Sequence, residues 1–109
     1  MSTDRREVPR RRVNISALYR ADGQQCSAHL FDLGSDGVFL CTRQPLKPGS
    51  RLDLTIHIPG DRGFMHADGM VMWTNLVHSE AVPAGMGIRF LSVDPAARER
   101  LFAQLETFS

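Results

Sequence analysis

Two short stretches of this 109-residue chain carry residue types that together can hold an anion. The first is the arginine cluster Arg5, Arg6, Arg10, Arg11 and Arg12. The second is the turn Asp32-Leu33-Gly34-Ser35-Asp36-Gly37, which ends one apolar run and starts another. A guanidinium offers a planar stacking face and forked donors, a carboxylate accepts hydrogen bonds from a guanine edge, and glycines let backbone come close to phosphate. The combination suits a guanine nucleotide. Neither stretch says so alone, because an arginine run is by default a solvated tail and an Asp-to-Gly turn is by default a tight connection.

The positive charge is local rather than general. Five of the thirteen Lys and Arg residues lie between Arg5 and Arg12, although the formal net charge is only +1. With 42% hydrophobic and 23% charged residues, the chain has the composition of an ordinary globular domain, and its length fits one core rather than two. No apolar run approaches the ~20 residues of a membrane span, and the first residues lack the apolar core of a signal peptide. The expectations are a cytoplasmic protein and no membrane insertion.

Other chemistries find little support. Cys26 and Cys41 stand alone in apolar stretches without metal-ligand spacing, which predicts reduced, buried packing residues. His29, His57, His66 and His78 show no metal pattern either, so no metal is assigned. Asp53, Asp61 and Asp68 fall on separate strands and turns with no nucleophile signature, and no catalytic residue is expected. An arginine arm can bind nucleic-acid phosphates, but the rest of the chain supplies no basic stripe and few aromatics, which argues against that partner.

The elements that must position the two stretches read mainly as strands. Residues 1–12 lack apolar periodicity and contain Pro9, which predicts a flexible arm; residues 13–109 form the domain. Val13, Ile15, Ala17 and Tyr19 alternate with polar or surface positions, the period of a half-buried strand. Asp22-Gly23 predicts a hairpin, returning through Gln25 to Phe31. Val38 to Leu40, Leu52 to Ile58, Phe64 to Thr74 and Met86 to Phe90 follow as strands between glycine- and proline-bearing turns. On the fifth, Ala67, Gly69, Val71 and Trp73 share one face, with Trp73 expected in the core, and Met65, Met70, Met72 and Met86 read as adaptable packing. Asp94 as N-cap and Pro95 at the first helical position open a terminal helix with Ala97, Leu101, Leu105 and Phe108 on one stripe. Six antiparallel strands with one helix predict a small barrel, which also removes exposed edges.

This order of elements and motifs resembles the PilZ domain family over nearly the whole chain. The family's RxxxR motif is matched by Arg6 and Arg10 in the string RREVPRRRV, and its (D/N)xSxxG motif aligns with Asp32 to Gly37. GMVMW at Gly69 to Trp73 and GMGIRFLSVD at Gly85 to Asp94 resemble the family's late strands. The resemblance implies a PilZ-type six-stranded antiparallel β-barrel with a C-terminal α-helix, and a receptor for cyclic di-GMP rather than an enzyme. It needs no cofactor, and its output is contact with a protein effector.

In that reading Arg6 and Arg10 clamp the ligand, Asp32 accepts from guanine N1 and N2, and Gly37 supplies a backbone with φ > 0. Arg5 and Arg11 stand beside the clamp as further candidates. One position departs from the motif: Gly34 occupies the place of its serine, and Ser35 lies one residue along, facing the other way in an extended segment. Gly34 is expected to leave its own N–H open, so that with Ser35 and Gly37 the turn presents backbone donors to phosphate. The departure also motivates an alternative, a degenerate PilZ adaptor that works through protein contacts without nucleotide.

Overall fold

The computed structural model describes residues 11–60 and 62–107. The chain runs β1 (Arg11–Ala21), β2 (Gln24–Leu33), β3 (Gly37–Cys41), β4 (Arg51–His57), β5 (Phe64–Asn75), β6 (Gly85–Val93) and α1 (Pro95–Thr107). All six strands pair antiparallel and close a barrel in the order β1-β2-β3-β6-β5-β4. The alternation seen in the sequence selects the inside: Ile15, Ala17 and Tyr19 from β1 and Leu52, Leu54 and Ile56 from β4 are buried. Val38 and Leu40 from β3 and Val71 and Ile88 from the far side complete the same core.

The hairpin between β1 and β2 forms as its residues dictate. Asp22 and Gly23 both take positive φ, 53° and 79°, the pair a two-residue turn needs to follow the twist of its strands. At the other end, Asp94 Oδ1 accepts from the Ala96 amide at 3.2 Å, capping α1. Ala97, Leu101 and Leu105 then lay the helix against the core, while Phe108 lies outside the described residues.

Three expectations change. Trp73 is not a core residue: it is 49% exposed. The register of β5 against β6 shifts between Val71 and Trp73, a bulge that puts an extra residue into β5 and turns Trp73 to the outer surface. The methionines divide accordingly, with Met65 and Met86 fully buried and Met72 exposed. Cys26 and Cys41 are free, but half-buried rather than buried. Burial pushes the Cys41 thiol above its ordinary range, and the negative charge of Asp32 adds to the rise.

Candidate functional site

The turn from Asp32 to Gly37 sits where β2 hands over to β3, at the end of the barrel where β1 begins. The register sets Arg11 opposite Leu33 and Arg12 opposite Asp32, so the chain leaving the arginine string enters the barrel alongside the turn's carboxylate-bearing residue. On its other side Asp32 lies opposite Phe39. The β2–β3 register slips between Leu30 and Asp32, and that irregularity makes Phe31 and Asp32 consecutive residues without full burial between the buried Leu30 and Leu33. A regular strand would have sent one of the pair inward.

Within the turn, the Gly34 amide donates to the Gly37 carbonyl at 2.9 Å, and Gly34 is buried. The expectation that this N–H stays open for phosphate is therefore corrected: the turn itself uses it. Ser35 is half-buried, and its hydroxyl makes no hydrogen bond among the described residues. The Asp36 carbonyl accepts from the Phe90 amide at 2.8 Å, which fastens the turn to β6.

Gly37 is also a glycine for a reason other than the one expected. Positive φ occurs at Gly23, Gly49, Gly60 and Gly63, not at Gly37. Gly37 pairs with Arg89 across the β3–β6 seam, and a Cβ there would run into the Ile88 carbonyl oxygen. The missing side chain permits close approach of two backbones. Arg5, Arg6 and Arg10 lie outside the described residues, so the arm and its clamp are not part of this geometry.

The structure adds residues that sequence reasoning passed over. Phe31, Phe39 and Trp73 form a row on the outer face of β2, β3 and β5. Phe31 meets Phe39 edge-on at 5.8 Å between centroids, and Phe39 stacks on Trp73 at 5.0 Å with 22° between planes. The row crosses β6 because β6 offers no side chain there: a Cβ on Gly87 would strike the Trp73 indole. Phe39 is only 2% exposed although it points away from the core, since its neighbours cover it. The signal for this row was present in the GMG spacing of Gly85 and Gly87, whose pairing with Cys41 and Phe39 leaves room for rings. Arg89, exposed and in register with Gly37, adds a cation beside the turn. A carboxylate, a guanidinium and half-exposed rings thus lie together around the turn, an arrangement suited to a planar, hydrogen-bonding, anionic ligand.

Comparison with known proteins decides the family. The model of the PilZ domain matches residues 4–107. The chain belongs to the PilZ domain family. The match takes in both motifs, from before Arg5 to the end of α1. No curated protein matches the sequence significantly. Among solved structures, the PilZ fold is shared with the Bacillus subtilis inhibitor of motility, MotI/DgrA, at a TM-score of 0.74 and 11% identity, covering 97% of this chain and 52% of that one. It is shared also with the PilZ domain with c-di-GMP of YcgR from Escherichia coli, at a TM-score of 0.62 and 22% identity, covering 94% of this chain and 88% of that one. At these identities the likeness is one of fold, and this chain spans about half the length of the MotI chain. PilZ domains are binding modules rather than catalysts, and among the described residues no group of His, Cys, Asp and Glu is arranged to hold a metal.

Proposed function

We propose that this PilZ domain is a receptor for cyclic di-GMP, which it binds on the outer face around Asp32 and the turn to Gly37, with Arg6 and Arg10 closing over the ligand. The observation that carries the reading is the register of β1 on β2. Because Arg12 lies opposite Asp32, the RxxxR string is joined directly to the strand that flanks the motif carboxylate. Two residues of extended chain reach roughly 7 Å, so Arg10 starts within side-chain reach of the turn. Asp32 accepts from a guanine edge, Ser35 and Arg89 face the phosphates, and the half-exposed Trp73 and Phe31 offer a stacking surface. Ordering of the arm that precedes β1 over the nucleotide changes the surface seen by a protein effector, and this is the relay.

Isothermal titration of the folded domain with cyclic di-GMP at tens of micromolar should give measurable heat, and Arg10→Ala should lose most of the affinity. Absence of heat with wild-type protein would sink the reading, and an unchanged Arg10→Ala would remove the arm from the site.

A second reading has its own support. Gly34 stands in the motif's serine position, is buried and donates its amide inside the turn, so it offers the ligand neither hydroxyl nor N–H. On this account the domain is an adaptor that acts through protein contacts alone. The missing hydroxyl bond is worth about 1.5–3 kcal/mol, roughly ten- to a hundredfold in affinity. Gly34→Ser separates the two: a gain of that size identifies a weakened receptor, whereas no binding by either form identifies the adaptor.

A further inference from the structure

The barrel is closed, but the seam between β2 and β3 is short, covering only half of β2. β1 accompanies β2 as far as Ala21 against Gln24, whereas β3 meets β2 only from His29 to Leu33. Beyond His29 and Cys41, β3 turns away, and the Thr42 amide donates to the Ala84 carbonyl at 3.2 Å. The gap is bridged at its floor by Tyr19, whose hydroxyl shares a 3.0 Å hydrogen bond with Thr42 Oγ1 and donates to the Gln44 carbonyl at 3.2 Å. Residues Gln24 to Ala28 are left with a strand on one side only.

The pairing pattern says which backbone groups face the gap. In an antiparallel ladder the hydrogen-bonded pairs alternate with non-bonded ones, and the pair closing a two-residue hairpin is bonded. Ala21 and Gln24 are that pair, so Cys26 and Ala28 aim their N–H and C=O groups at β1. Gln25 and Ser27 aim theirs into the gap, where no backbone partner meets them among the described residues. Such edges are normally blunted by charge, proline or a bulge, and the sequence Gln24-Gln25-Cys26-Ser27-Ala28 has none of these. The groove alongside has a volume of about 810 Å³. Its lining includes Arg43, His29 and His78 and no carboxylate.

We propose that this open edge of β2 is a docking slot for an extended, acidic segment of a partner protein, which joins the barrel as an added strand. Main-chain bonds to Gln25 and Ser27 hold the segment, and Arg43 selects its carboxylates. Five residues of edge accept roughly 17 Å of strand. A second copy of the chain fits less well, since a two-fold pairing sets identical, like-charged rims against each other. The slot lies at the end of the barrel away from the Asp32 turn, and the inference does not depend on nucleotide binding.

The probe is a capped heptapeptide alternating valine and glutamate, added to isotope-labelled full-length chain, with the lysine-for-glutamate version as control. The glutamate peptide should slow hydrogen exchange and shift the amide resonances of Gln25 and Ser27, leaving Cys26 and Ala28 comparatively unaffected because β1 already holds them. The lysine peptide should bind about tenfold more weakly, and Arg43→Glu should reverse that preference. Ser27→Pro removes an outward N–H and should abolish docking; Arg43→Glu keeps the test decisive should the proline variant fail to fold. The proposal is overturned by unprotected Gln25 and Ser27 at about 1 mM peptide, by equal binding of the two peptides, or by protection of the same amides through dimerisation without peptide.

Discussion

Gly23 and Gly37 both stand at turns that lead into or out of β2 and its neighbours, and they are glycines for unrelated reasons. Gly23 has φ of 79° and open space where a Cβ would sit. Gly37 has no such dihedral, but its Cβ would collide with the Ile88 carbonyl oxygen. One glycine supplies a backbone conformation and the other supplies room. A hairpin tip is solvated and local, so its requirement involves four residues. The seam at Gly37 joins segments some fifty residues apart and carries the candidate site on its outer side.

The contrast is sharpest in stability. Gly37→Ala must separate β3 from β6, since a carbonyl in a ladder cannot rotate away as a side chain can, and it should lower unfolding free energy by about 3 kcal/mol in denaturant titration. Nucleotide binding should fall with it. Gly87→Ala forces the indole of Trp73 off β6, costing about 1–2 kcal/mol, and the emission of this single tryptophan should shift to the red. Gly23→Ala meets nothing and pays only for the left-handed conformation, about 1 kcal/mol, with the tryptophan spectrum unchanged. If Gly23→Ala and Gly37→Ala prove equally damaging, the distinction between conformation and room is wrong.

The smallest effect is in alkaline solution. Burial raises the pKa of Tyr19, opposed in part by the Thr42 hydroxyl, and burial together with Asp32 raises that of Cys41. A group that holds its proton more tightly in the folded state stabilises the fold fully below its unfolded pKa, and that contribution is lost as pH climbs through the folded value. Denaturant midpoints should therefore be flat near neutrality and decline above about pH 9. Cys41→Ala should reduce the decline, whereas Gly23→Ala should leave its shape unaltered.

Much of the barrel was legible because its inward faces obey a period of two. Ile15-Ala17-Tyr19 and Leu52-Leu54-Ile56 announce both their strands and their burial. Trp73 was misread for the same reason: the period carries through Val71, and only the bulge, a property of the pairing with β6, turns the next ring outward. Of the candidate site, the sequence showed the motif residues but not the side chains around them. Phe31, Phe39 and Arg89 look like ordinary strand positions until the β3–β6 seam places them beside the turn. Gly34 and Gly37 were found for what they are and misjudged in what they do, because hydrogen-bond partners such as the Gly37 carbonyl and close contacts such as Ile88 are set by the fold rather than by a motif.

The direct pairing of β3 with β6 has a consequence for synthesis. A growing chain can form the first hairpin early, yet the wall behind the Asp32 turn consists of residues 85–93, which are made some fifty residues after it. Until then the Asp36 carbonyl has no Phe90 amide, and the aromatic row has no floor. A chain halted before residue 85 therefore carries the motif without the strand that backs it, and the face takes its final form only when β6 docks.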